Sequence, residues 1–296
     1  MKRGALIASV ATVASVIATG SAWAQDDGIP VDGAIDFQRP ATTVMTDIVA
    51  FHNFVLPIIV AISILVLVLL LWVIVRYNRA ANPTPRKFTH NMLVEVIWTI
   101  VPVLILVVIA WKSFPLIYKE EQIPPQAQLQ LKVTGNSWFW TYEYPQLGVN
   151  VTSQLLPEED ARAQGRPWLL ATTAPLYVPV GEPVHVIITS NDVIHAFAVP
   201  AFGVKEDAIQ GRVNDTWFQV DRPGVFYGQC SELCGQNHAF MPIEVRAVPR
   251  AEFDAWVAQQ GGTVAAADAT APEGDATTPP AGGQQPTPAP QPSPTR

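Results

Sequence analysis

The residues best equipped for chemistry lie in one run, Cys230-Ser231-Glu232-Leu233-Cys234-Gly235-Gln236-Asn237-His238-Ala239-Phe240-Met241. It holds both cysteines of the chain, with a histidine and a methionine shortly after the second. Two cysteines in an exported chain ordinarily pair as a structural disulfide. A disulfide needs neither His238 nor Met241, whereas thiolate, imidazole and thioether together form the soft donor set that selects copper. A second imidazole, His195, stands upstream in Val193-Ile194-His195-Ala196-Phe197-Ala198-Val199, a stretch that reads as a strand. One upstream histidine plus a Cys–His–Met loop is the ligand arrangement of a blue-copper site, and a second cysteine lets two thiolates bridge two ions. Structural zinc fits less well, because methionine is a poor zinc ligand and a second Cys-x-x-Cys pair is missing. Covalent haem is excluded, because the spacing is Cys-x-x-x-Cys followed by glycine.

Such ligands need a scaffold, and the chain supplies two kinds. Mean hydropathy is positive and charge is sparse, yet the last part is rich in Pro, Ala, Gly and Thr, a mixture that fits membrane helices joined to a soluble domain and a tail. Residues 1–24 read as a signal peptide, with Lys2-Arg3, an apolar centre and Ala22-Trp23-Ala24 before Gln25. After a segment over 25–50, spans are expected over 51–75 and 93–113, each apolar and long enough to cross a bilayer. Pro57 and Pro102 fall inside them, which membrane helices tolerate. The intervening 76–92 carries Arg76, Arg79, Arg86 and Lys87, whereas the segment before the first span is acidic. The basic hairpin therefore faces the cytoplasm, and the copper loop faces outward, in the periplasm of a bacterial inner membrane. Trp72, Trp98 and Trp111 lie near span ends, as an aromatic belt requires.

Beyond Phe114-Pro115 the pattern turns to alternation. Strands are expected over 130–134, 139–144, 184–189, 193–199, 217–220 and 243–248, with Pro, Gly, Asn and Asp between them. Short strands at this density give an all-β sandwich or Greek-key barrel over 114–260. A copper loop before the last strand, with an upstream histidine, makes it cupredoxin-like. Residues 250–259 read as a closing helix with Phe253 and Trp256 on one face. Residues 261–296 are too poor in large apolar side chains to offset ordering entropy and are expected to be disordered. Neither an internal repeat nor a nucleotide-binding glycine loop is apparent, and no nucleic-acid partner is expected from a chain of net charge −7.

Cys-Ser-Glu-Leu-Cys-Gly-Gln-Asn-His-Ala-Phe-Met-Pro, from Cys230 to Pro242, resembles the dinuclear copper (CuA) loop of cytochrome c oxidase subunit II. The resemblance runs from the first membrane helix to about Trp256. It implies that Cys230 and Cys234 bridge two coppers, that His195 and His238 each terminate one, and that Met241 and the backbone carbonyl of Glu232 are weak ligands. It gives the Glu232 side chain to a magnesium ion shared with subunit I. Trp138, first in Trp138-Phe139-Trp140-Thr141-Tyr142-Glu143-Tyr144, matches the family's port for electrons from cytochrome c, although Asn136-Ser137 replace the His-Gln common before it. Glu95 matches the glutamate at the mouth of the family's proton channel; on residue type alone it is equally a first-turn acid favoured by the helix dipole. Residues 205–212 resemble the loop packing over subunit I, with Gln210 where proline is common.

Acids outnumber bases between 116 and 256. Such an excess ordinarily serves solubility, but Glu143 and Asp192, near Trp138 and His195, are placed to steer a basic cytochrome c. His185 reads as structural and without a partner nearby; His52 and His90 read as interfacial. The resemblance thus implies the electron-accepting subunit of a proton-pumping oxidase, acting with subunits I and III. A quinol-oxidase subunit would lack the copper ligands, and a tethered copper-delivery protein would need neither Trp138 nor Glu95.

Overall fold

The computed structural model describes residues 28–84 and 86–264. The expected signal peptide, and all of the tail beyond Val264, lie outside the described residues. Two long helices come first, α1 (Thr43–Arg76) and α2 (Met92–Glu121), both long and apolar enough to cross a membrane. Each extends past the span expected from hydropathy, because capping rather than apolarity sets its ends. The Thr42 hydroxyl accepts from Met45 N at the start of α1, and the Asn91 side chain accepts from Leu93 N and Val94 N at the start of α2.

Ten strands then form two five-stranded sheets. They are β1 (Leu129–Asn136), β2 (Phe139–Tyr144), β3 (Val149–Ser153), β4 (Leu176–Pro179), β5 (Pro183–Ser190), β6 (His195–Val199), β7 (Val204–Ala208), β8 (Asn214–Gln219), β9 (Gly224–Cys230) and β10 (Pro242–Val248). One sheet runs β3-β2-β1-β5-β8 and the other β4-β10-β9-β6-β7. A short helix α3 (Glu158–Ala163) lies between β3 and β4, and α4 (Arg250–Gln259) closes the domain. The sheets bury Trp140, Phe197, Phe202, Phe218 and Phe226 between them. Phe253 and Trp256 of α4 are buried as expected, and Trp256 stacks on Tyr177 with ring centroids 4.7 Å apart.

Four strands were not anticipated, each for its own reason. β3 and β4 are short, and β4 ends on Pro179. β7 lies at a sheet edge and is Val-Lys-Glu-Asp-Ala, so the first half of the 205–212 stretch expected as a loop is a charged edge strand. β9 opens on Gly224 and merges into the cysteine loop, which masks its alternation.

The helices are tied to the sheets by polar contacts. The Thr42 hydroxyl donates to Phe202 O at 2.8 Å, Ala41 N donates to Ala201 O and Asp221 N donates to Ala41 O. At the end of α2, Trp217 Nε1 donates to Lys119 O, and Lys119 Nζ meets Asp47 of α1 at 2.5 Å. The segment between β3 and β4 is held by the fully buried Glu244, which meets Arg166, Arg246 and Thr172 N. A buried carboxylate is tolerated only with this degree of pairing. His185, expected to stand without a partner, lies 3.2 Å from Asp215 on the neighbouring β8. Sequence spacing could not show a cross-strand neighbour of this kind.

β6 and β9 approach closely because Gly228 has no side chain: a Cβ there would stand 2.0 Å from Ala198 O. Backbone cannot move aside as a flexible side chain can. Gly228→Ala should therefore destabilise the fold by about 3 kcal/mol or more, read as a lowered unfolding temperature by calorimetry. A substitution without measurable cost would show that the strands can separate freely.

Candidate metal centre

The start of β6 and the end of β9 meet at one end of the second sheet. Phe197 pairs with Cys230 and Ala198 with Gln229, so His195, first in β6, lies beside Cys230, last in β9. The chain leaves β9 through Ser231–Asn237, makes one 3-10 turn over His238–Phe240, and returns as β10 at Pro242. This reversal folds Cys234, His238 and Met241 back onto Cys230.

Neither cysteine is in a disulfide, and both are buried. Their Sγ atoms lie 3.8 Å apart. His195 Nδ1 is 3.9 Å from Cys230 Sγ, and His238 Nδ1 is 3.5 Å from Cys234 Sγ. Met241 Sδ is 3.5 Å from Cys234 Sγ, while the Glu232 carbonyl is 3.3 Å from Cys230 Sγ. The ligand atoms of His195, Cys230 and Cys234 all fall within 4.8 Å of one another. Six donor atoms therefore converge, two of them thiols, and His195 and Met241 are almost wholly buried. The Glu232 side chain, by contrast, is exposed, and so is its neighbour Leu233.

Surrounding groups fix these donors. His195 Nε2 is 2.8 Å from Asp192 Oδ1, so the ring turns Nδ1 toward the sulfurs. Asp192 also accepts from Ser137 N at 2.6 Å and from Val193 N. The carboxylate thereby joins the His195 loop to the residue before Trp138, and these donors hold its pKa well below the usual carboxylate range against the opposing effect of burial. A Cβ at Gly135 would stand 2.8 Å from His195 Cδ2, so β1 can lie against the imidazole only as glycine. Trp138 Nε1 donates to Cys234 O at 3.1 Å, and Trp140 Nε1 donates to Met241 O at 3.2 Å. Two indoles thus grip the loop from β2 and the turn before it.

The two thiols differ sharply. Burial alone would raise Cys230, but His195 and nearby backbone groups outweigh it and bring its pKa down to about 6. Cys234 is pushed up to about 12 by burial and by the charge on Cys230. The two share one proton at neutral pH, with the negative charge on Cys230. His195 is raised despite its burial, because Cys230 and Asp192 favour its charged form.

The other anticipated residues lie apart from this cluster. Glu143 is on β2 and its carboxylate meets Lys132 Nζ at 2.7 Å, so its charge is largely spent within a surface pair. Glu95 is at the start of α2, where its carboxylate accepts from Asn91 N at 3.2 Å. That contact satisfies a helix-start amide, as the first-turn reading requires. Missed in the sequence were Gly135 and Trp140 as supports of the site. A glycine inside an otherwise alternating strand was the available signal for the first; nothing distinguished Trp140 from an ordinary core aromatic.

An apolar helical hairpin carrying a β-sandwich, with thiols, imidazoles and a thioether gathered at one end of a sheet, describes a membrane-associated protein with a candidate metal site. Two family profiles match it: "Cytochrome C oxidase subunit II, transmembrane domain" over residues 30–116 and "Cytochrome C oxidase subunit II, periplasmic domain" over residues 129–248. A probable cytochrome c oxidase subunit 2 of Rickettsia felis is 41% identical over 256 residues, covering 86% of this chain and 80% of that protein. Cytochrome c oxidase subunit 2 of Cereibacter sphaeroides is 39% identical over 287 residues, covering 89% and 94%. The solved periplasmic domain of subunit II of cytochrome oxidase (CoxB) of Bradyrhizobium japonicum is 46% identical, covering 47% of this chain and 97% of that one, with a TM-score of 0.44. The chain belongs to the cytochrome c oxidase subunit II family.

Proposed function

We infer that this chain is the electron-accepting subunit of a bacterial terminal oxidase. It takes electrons one at a time from cytochrome c at a dinuclear copper centre, CuA, and passes them to subunit I. There O2 is reduced to water with coupled proton pumping, so the assembled complex is the cytochrome-c oxidase. The observation that carries this reading is the convergence of two unbridged thiols, two imidazole Nδ1 atoms, a thioether and a carbonyl from the 230–241 loop and the start of β6. That donor set fits a pair of soft ions bridged by sulfur better than zinc, and better than a disulfide. Bound there, the copper pair would supply one-electron acceptance and release.

The chain's own residues hold, orient and insulate. Cys230 and Cys234 would bridge, His195 and His238 would each terminate one ion, and Met241 and the Glu232 carbonyl would bind weakly. Asp192 fixes the His195 ring, and burial of Met241 and both thiols keeps water from the sulfurs. Trp138 is half-buried, and its indole donates directly to the Cys234 carbonyl, a bonded route from an aromatic surface group to a bridging thiol. With residues 1–24 removed as a signal, the β-domain and both mature termini would lie in the periplasm and 76–92 in the cytoplasm. Subunits I and III would pack against the hairpin within the lipid membrane.

Electron paramagnetic resonance of the copper-loaded chain tests the centre. One unpaired electron shared by two coppers should give hyperfine splitting from both nuclei, and Cys230→Ser or Cys234→Ser should each abolish it. A single-copper spectrum would refute the reading. Loading must also take the proton from Cys234. Above the range in which His195, itself raised, loses its proton and up to the Cys234 value of about 12, copper affinity should therefore rise by about tenfold per pH unit, measured by competition with a chelator. Affinity flat across neutral pH would show that both thiols ionise before metal arrives.

The donor face is tested by stopped-flow reduction with cytochrome c across a salt series. Trp138→Ala should slow electron transfer severely and leave binding nearly intact. Neutralising Asp192 should combine weaker steering, screened by salt over roughly 8–10 Å, with a disturbed copper spectrum. Salt-independent rates with normal transfer in Trp138→Ala would place docking elsewhere.

Two further assignments concern subunit I. Glu95 would take up protons at the cytoplasmic start of α2, and the exposed Glu232 carboxylate would share a magnesium ion. Glu95→Ala should slow turnover and Glu232→Ala should lower magnesium content, both with copper content unchanged. Turnover and magnesium at the unsubstituted level in these variants would return both residues to structural roles.

A further inference from the structure

Where the two long helices approach the β-domain they do not close on each other. A cavity of about 390 Å³ opens between them, lined on α1 by Asp47, Ala50, Phe51 and Phe54. The facing wall on α2 is Lys112, Pro115, Leu116 and Lys119. Ala50 leaves the space, and the rings and Leu116 make most of it apolar. Charge is placed at two levels along α2. Lys119 stands near the domain and meets Asp47. Lys112 lies seven residues earlier on α2, about 10 Å along the axis, and is exposed. Its predecessor, Trp111, is 79% exposed, as an indole at the bilayer's polar boundary would be. Pro115 has no N–H to give to Trp111 O, so one carbonyl at the same depth lacks its helical donor.

These features describe a site for a molecule with an anionic head, a hydrogen-bonding neck and an apolar tail, positioned where the helices leave the hydrocarbon. We propose that the cavity between α1 and α2 holds one anionic glycerophospholipid, its phosphate at Lys112 and an acyl chain against Phe51 and Phe54. A free phosphate would have no use for the aromatic wall. Asp47 offsets Lys119, which leaves the charge of Lys112 in excess in the lining, so a net anionic lipid is favoured over a zwitterionic one. The upper end is rigid, because Trp217 holds Lys119 O from the β-domain and Lys119 in turn holds Asp47. A lipid seated here would therefore brace the hairpin against the sheets. This inference does not depend on the copper reading.

The test is native mass spectrometry of the full chain in mild detergent, titrated with dioleoyl-phosphatidylglycerol and separately with dioleoyl-phosphatidylcholine. One phosphatidylglycerol should be retained per chain in preference to phosphatidylcholine. Lys112→Gln, at an exposed position, should weaken retention by about fivefold, the scale of one lysine at an anionic headgroup. Phe51→Ala with Phe54→Ala should weaken retention by removing the aromatic wall while leaving both lysines in place. Equal retention of the two lipids, or variants that bind as the unsubstituted chain does, would overturn the proposal. A photoreactive benzoylphenylalanine at position 54, irradiated in native membranes, separates lipid from protein as the occupant. A lipid adduct supports the site, and an adduct to another polypeptide overturns it.

Discussion

Everything at the metal centre depends on the antiparallel pairing of β6 with β9. Phe197 opposite Cys230 is the register that sets the His195 imidazole beside the first thiol. A shift by one residue would turn every side chain of the strand to the other face of the sheet, sending His195 away from Cys230. The register is held by packing as much as by hydrogen bonds. Every residue of β6 is buried, Phe197 and Val199 completely, and Gly228 admits the neighbouring backbone where any side chain would collide with Ala198 O. The loop chemistry is thus built on a strand pair that has one way to fit.

The same economy explains the thiols. A buried, unpaired thiolate is costly, and two side by side cost more. Without metal the pair keeps one proton, the charge settling on Cys230 because His195 lies beside that sulfur, with Asp192 behind the ring. The site is consequently poised rather than relaxed. It gathers two thiols, two imidazoles and a thioether around one point, a donor set compatible with a bound cation.

Much of this was legible in the sequence because its signals are local. The ligand set lies within twelve consecutive residues plus one strand, the spans announce themselves by apolar length, and the closing helix by Phe253 and Trp256. What escaped was non-local. β7 hides because charged residues suit an edge that has one neighbour. The Asp215 partner of His185 is on another strand. Gly135 and Trp140 touch the site only because the two sheets stack, and no spacing within β1 or β2 records that.

Charge shows how position revises a role read from composition. Glu143 and Asp192 look alike in the sequence, two acids near aromatic or ligand positions. Lys132 pairs with Glu143 across β1 and β2, so little of its field survives at a distance. Asp192 accepts from His195, Ser137 and Val193 while its side chain stays 35% exposed. One carboxylate therefore orients a metal-facing imidazole and still presents charge to solvent beside Trp138. Exposed charge and ring orientation share a residue, so the two cannot vary independently. A substitution that removes this charge must also loosen the ring that faces the sulfurs.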